Sequence, residues 1–207
     1  MPNHVKNIVR ISGSKESIAR CSEQIFKGGK FSFENIKPMP EELNLESGSM
    51  SCIAMEWMDA SPAQRERIEA DTMKRYRLGN KDVVAKLQRY ADNVAKYGCP
   101  TWYEWHCDNW GTKWDAYEIS EVERGDHSIR IDFWTAWSTP EGIIKTLAEQ
   151  YPDLTIAVEY ADEDLGNNCG TYGFIKGVAW ENVGDFDFAC GIWGYDPEEM
   201  REELEEV

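Results

Sequence analysis

Between Pro100 and Asp115 the chain places four Trp, one Tyr and one His in sixteen positions. Within that stretch Asn109-Trp110-Gly111-Thr112-Lys113-Trp114 combines a tight turn, an amide, a hydroxyl and a cation with flanking rings. Such a set suits an anionic or planar ligand, which rings can stack on and a lysine can neutralise. On this reading the candidate binding residues are His106, Asn109, Trp110, Thr112, Lys113 and Trp114, joined by Trp137. The competing reading makes the same residues cement. Indoles bury large apolar area while their N–H groups meet backbone carbonyls, and large aromatic cores are commoner than pockets.

Charge supplies a second kind of surface chemistry. Residues 1–60 carry 7 basic and 8 acidic side chains, residues 61–97 carry 9 and 5, and residues 98–207 carry 6 and 25, within a chain of net charge −16. A half at −19 repels a phosphate backbone, so direct nucleic-acid binding is not expected there. Acidic side chains keep a protein soluble. They can also engage a basic, nucleic-acid-handling partner by electrostatic complementarity, and Asp162, Glu163, Asp164, Asp185 and Asp187 are the candidate acidic surface. The basic residues of 65–96 are interspersed with acids and read as a solvated helix face.

Other chemistries find no pattern. Cys21, Cys52, Cys99, Cys107, Cys169 and Cys190 show neither C-x-x-C nor zinc spacing, and His4, His106 and His127 are far apart, so no metal is expected and the thiols read as reduced. Asp162-x-Asp164-x-Gly166 starts like a calcium loop but lacks its later ligands. Nucleophile elbow, P-loop and H-E-x-x-H are missing, so no cofactor is expected and catalysis is the lesser expectation. The first residues hold no basic leader, and no apolar run nears the roughly 20 residues of a membrane helix; a cytoplasmic location is expected.

The elements that must position these residues follow from periodicity. Val5, Val9 and Ile11 alternate with Lys6 and Arg10 as a half-buried strand. Ser14 caps a helix with Ile18, Cys21 and Ile25 on one face, to about Gly28, and Phe31–Ile36 reads as a returning strand. A second unit repeats this order: strand at 128–137, helix from Thr139-Pro140 to Tyr151, strand at 154–160. Two such halves with right-handed crossovers assemble into a ferredoxin-like split βαβ sheet, an α+β fold. Between them a helical hairpin insertion, Pro62 to Gly79 and Asn80 to Tyr97, lies within about 41–110 of a single domain, and Trp114–Ile119 reads as a short strand. Tyr172–Trp180 reads as an extra C-terminal strand, and Asp196-Pro197 opens an acidic helix at about 196–207.

Several blocks in order resemble one family: Met1-Pro2-Asn3 with Asn7, Pro38-Met39-Pro40-Glu41-Glu42-Leu43, Lys96-Tyr97-Gly98 with Trp102-Tyr103-Glu104-Trp105, Asn109 to Ala116, and Thr135-Ala136-Trp137-Ser138. They are similar to the YubB-type ferredoxin-like family carried by bacterial plasmids and phages, with His4 where Trp is expected and Thr139 where Pro is expected. The resemblance implies a ferredoxin-like sheet with a helical insertion and a home on mobile elements, and brings no catalytic residue or cofactor. With the acidic half, it makes the leading expectation a non-enzymatic accessory protein that binds a basic host protein in the bacterial cytoplasm. The alternative is binding or processing of a nucleotide-like ligand at Asn109–Trp114. Periodicity leaves the oligomeric state open.

Overall fold

The computed structural model describes residues 3–205; Met1 and Pro2 of the first resemblance block, and Glu206 and Val207 of the acidic helix, lie outside the described residues. The strands are β1 (His4–Ser12), β2 (Tyr117–Arg124), β3 (Ser128–Ala136), β4 (Thr155–Asp162), β5 (Cys169–Ile175) and β6 (Val178–Val183). The helices are α1 (Lys15–Ile25), α2 (Ser49–Asp59), α3 (Pro62–Tyr76), α4 (Asn80–Tyr97), α5 (Trp102–Asn109), α6 (Glu141–Gln150), α7 (Phe186–Trp193) and α8 (Pro197–Glu205). Two compact units emerge, a sheet unit of residues 1–38 and 107–207 and a helical unit of residues 39–106.

In the sheet unit the six strands lie in the order β2-β3-β1-β4-β5-β6, every neighbouring pair antiparallel. The first four are the split βαβ arrangement, with β1-α1-β2 and β3-α6-β4 as its halves, and β5 and β6 extend the sheet beyond β4. Alternation drives this: Val5, Val9 and Ile11 pair with Thr135, Ile131 and Ile129 on one face, where Ile18, Cys21 and Ile25 of α1 and Ile143, Ile144, Leu147 and Ala148 of α6 are buried. On the other face Ile8, Ala161 and Cys169 pack with Ala189 and Ile192 of α7.

Three expectations are corrected here. Phe31–Ile36 is no strand: Phe33–Asn35 is a single 3₁₀ turn, because the Asp115 carboxylate takes the Phe33 N–H at 2.8 Å and the Ser32 hydroxyl at 2.6 Å. The second strand of the first half is instead β2, reached after the helical unit. Tyr172–Trp180 is not continuous; Lys176 (φ 50°) and Gly177 (φ 79°) form the two-residue turn between β5 and β6, whose positive φ values match the twist of a hairpin. Of the candidate acidic surface, Asp185 caps α7, its Oδ1 accepting the Phe188 N–H at 2.9 Å, and Asp187 stands in the first helical turn.

The helical unit holds more than a hairpin. α2 joins α3 and α4 around Met50, Ala54, Trp57, Val83, Leu87 and Tyr90. α3 starts at Pro62 with Gln64 Oε1 accepting the Ser61 N–H at 2.9 Å, and ends on Arg77 in the left-handed conformation rather than at Gly79. Asp115→Ala in the sheet unit removes the acceptor that holds Ser32 and the Phe33–Asn35 turn, and lowers stability by about 1–3 kcal/mol in urea unfolding; an unchanged midpoint would show that the turn forms without it.

Candidate functional site

The aromatic loop divides into a buried and an exposed part. Trp110 is buried, its Nε1–H donating to Lys37 O at 2.8 Å and its ring edge-on to Phe33 at 5.7 Å. The buried Thr112 hydroxyl donates to Ala136 O at 2.8 Å, and the Ser138 hydroxyl donates to Gly111 O, which stitches the loop to the end of β3. Two glycines permit this. Gly111 has φ 83° with a built Cβ 3.1 Å from Glu141 N, and a Cβ on Gly142 would stand 2.2 Å from Asn109 O. The backbone of 109–111 therefore lies directly on the first turn of α6, where no side chain fits.

Beyond this stitch the side chains face outward. Lys113 Nζ lies 4.6 Å from the ring centroid of Trp114 and 4.6 Å from that of Trp137, a cation between two indoles that are 38% and 43% exposed. Trp137 holds a left-handed backbone (φ 70°), fixed by its N–H donating to Asn3 O at 3.0 Å and its carbonyl accepting from Asn168 Nδ2 at 2.9 Å. Of the expected binding residues, the structure brings Asn109, Trp110, Thr112, Lys113, Trp114 and Trp137 into one assembly. His106 belongs to the helical unit, edge-on to Trp102 at 5.3 Å and Trp105 at 6.0 Å.

Sequence reasoning missed that this clamp opens a longer file of rings. Trp114 meets Tyr117 at 6.4 Å, Tyr117 meets Trp134 at 6.4 Å, Trp134 meets Trp193 at 5.3 Å, and Trp193 stacks on Tyr195 with an interplanar angle of 9°. His4, which replaces the expected Trp, keeps an aromatic place at 5.7 Å from Tyr117 and 5.3 Å from Trp134. The Tyr117 hydroxyl donates its one proton to Thr135 O at 3.0 Å, so it accepts from His4 Nδ1 at 2.7 Å, which assigns the Nδ1–H to the imidazole. Burial, then the Glu163 and Glu118 carboxylates, push the Tyr117 phenol up to about 12. The signal in sequence was Trp134 alternating with Phe133 and Thr135 to the opposite face of its strand, where register sets it across from Lys6.

The acidic candidates separate as well. Asp162 is corrected from surface to interior: it is 5% exposed, Oδ1 accepts from Asn3 Nδ2 at 3.1 Å and from Asp164 N at 2.9 Å, and Oδ2 accepts from Asn168 Nδ2 at 3.0 Å. Glu163 accepts the His4 N–H at 3.0 Å, Asp164 accepts from Asn167 Nδ2 at 3.1 Å, and Asp187 pairs with Arg201. Of the expected set Glu163 borders open space, together with three further carboxylates. Glu163, Asp196, Glu199 and Glu203 line a cavity of about 630 Å³ together with Leu165, Tyr195 and Met200.

The buried thiols are not activated. Burial raises the thiols of Cys21, to about 12, and of Cys169 and Cys190, away from the thiolate a nucleophile needs. Among the described residues no group of three or more His, Cys, Asp or Glu is placed to hold a metal ion.

A family comparison is positive for the segment that begins at Trp110, inside the aromatic loop. Residues 110–206 match the ferredoxin-like domain in Api92-like protein. That domain holds β2 to β6, the Lys113 clamp and the acidic cavity. Over 81 residues the chain is 30% identical to the uncharacterized protein YubB of Escherichia coli (strain K12), a stretch covering 39% of this chain and 55% of that protein, about half its length. Against the crystal structure of protein api92 from Yersinia pseudotuberculosis the TM-score is 0.43 at 14% identity, covering 89% of this chain and 99% of that one. Among the described residues no helix is long and apolar enough to cross a membrane.

Tyr117→Phe deletes the hydroxyl that bridges His4 and Thr135 and lowers stability by about 1 kcal/mol at neutral pH. It also changes the alkaline limb. The native phenol sits above its ordinary value, so its contribution is complete below about pH 10 and is lost as pH rises through about 12. Thermal melts across that window fall less steeply for the variant; equal slopes would remove Tyr117 from the account.

Proposed function

We propose that the protein is a non-enzymatic binding module, an accessory factor of a phage or plasmid, that engages a basic host protein in the bacterial cytoplasm through the ring file and acidic cavity of its sheet unit. The observation that carries this reading is the cavity in which Glu163, Asp196, Glu199 and Glu203 stand beside Tyr195. A lysine or arginine fits such a cavity in both of its parts: the cation meets carboxylates and a ring face, and the aliphatic stem lies on Leu165 and Met200. The clamp at the other end of the file supports the same chemistry, because Trp114 and Trp137 already hold an ammonium between them. The acid surplus of residues 98–207 adds long-range attraction for a basic partner, including one that handles nucleic acid or serves in defence. The mobile-element assignment rests on the family resemblance alone.

The ligand-pocket reading of Asn109–Trp114 gathers less support, since the Trp110 ring and the Thr112 hydroxyl are spent inside the fold. Capture from host lysate tests the proposal. In low salt the tagged protein retains a stoichiometric basic protein, which about 0.5 M salt or added DNA releases. Glu199→Gln with Glu203→Gln, and separately Tyr195→Ala, weaken retention by about tenfold or more while leaving the melting temperature in place, as expected for exposed side chains. Retention that survives the salt, or is equal in the variants, would contradict the proposal.

A further inference from the structure

The helical unit contains a cavity of opposite character. About 740 Å³ of space is walled by α2, α3 and α4, and its polar lining includes Arg75, Lys86 and Arg89 against one carboxylate, Glu46, with the Ser49 hydroxyl and the half-buried Tyr76 beside them. Arg75 comes from the end of α3, and Lys86 and Arg89 stand three residues apart on one side of α4, so two helices converge their cations on one space. The surrounding segment 74–89 contains six basic residues and a single acid, Asp82, in a chain of net charge −16.

Neighbouring cations in this unit are used in packing. Arg65 donates to Trp57 O at 2.9 Å and to Met58 O at 2.8 Å, and Lys96 pairs with Glu42 at 2.9 Å. Among the described residues Arg75, Lys86 and Arg89 form no ion pair, and Arg75 lies only over the Tyr76 ring at 5.6 Å. Three like charges around one cavity repel one another, and that repulsion is relieved by an anion with several acceptor oxygens. The size falls in the range of small-ligand sites, and the planar guanidinium groups suit phosphate oxygens.

We propose that the cavity between α2, α3 and α4 is a binding site for a phosphate-bearing anion of the pyrophosphate class, held by Arg75, Lys86 and Arg89. This stands independently of the sheet unit's role. Pyrophosphate presents adjacent phosphates to all three cations at once, whereas the acid surplus of the whole chain disfavours a long polyanion.

Calorimetry on the full chain at low ionic strength, with sodium pyrophosphate, ATP and a short oligothymidylate as probes, tests it. Pyrophosphate and ATP bind with one site per chain, Arg75→Gln and Arg89→Gln each weaken binding by about tenfold or more, and Lys81→Gln, outside the cavity lining, leaves it unchanged. Arg75→Lys, which keeps the charge, recovers part of the loss and guards against misfolding of the glutamine variant. No binding of pyrophosphate, an equal loss in Lys81→Gln, or binding of the oligonucleotide alone would overturn the assignment.

Discussion

One buried carboxylate fixes the geometry on which the exposed chemistry of the sheet unit depends. Asp162 ends β4 at 5% exposure, and burial of such a group is tolerated only when its oxygens are hydrogen-bonded. Its three donors come from three places: Asn3 ahead of β1, the Asp164 backbone in the following turn, and Asn168 at the entry to β5. Asn168 and Asn3 also hold the backbone of Trp137, and the Asp162 carbonyl accepts the Trp193 indole N–H at 3.0 Å. The two ends of the ring file are thereby tied to one residue. Loss of this carboxylate would loosen Asn3 and Asn168, and with them the left-handed backbone of Trp137, while the Asp162 carbonyl would still accept from Trp193.

The chain divides its charge by chemistry. The sheet unit offers rings and carboxylates, Tyr195 with Glu199 and Glu203 above all, and the helical unit offers Arg75, Lys86 and Arg89 around a cavity. A net charge of −16 conceals this division, since repulsion of polyanions by the whole molecule coexists with a local field suited to a small one. Rings suit both signs of charge, because an aromatic face attracts a cation and a ring edge is electropositive.

Much of this was legible in the residues. The alternation of Val5, Val9 and Ile11, the Ser14 cap and the apolar face of α4 are local signals, and the structure realises each of them, whereas α6 starts at Glu141 with Pro140 at its N-cap and no capping hydroxyl from Thr139, which bonds Tyr172 instead. The ferredoxin-like order followed, though one strand was misplaced. Phe31–Ile36 has a strand's composition, but its backbone is claimed by Asp115, some eighty residues away, which no local pattern reveals. α2 carries no start signal in sequence, because Gly48 at its N-cap has no capping side chain. Asp162 reads as a turn acid beside Glu163 and Asp164, and only its long-range partner Asn3 shows that it is interior. In the loop, Gly111 carried a turn signal, while the need for Gly142 opposite it exists only in three dimensions.

Hydrogen exchange on the full chain, alone and with the basic protein that the proposed capture would retain, tests the central claim most directly, because it reports which backbone segments a partner covers. The account predicts new protection at residues 193–203 and around Trp137, with the helical unit's exchange unchanged. Protection confined to the helical unit or to the β6 edge would contradict it.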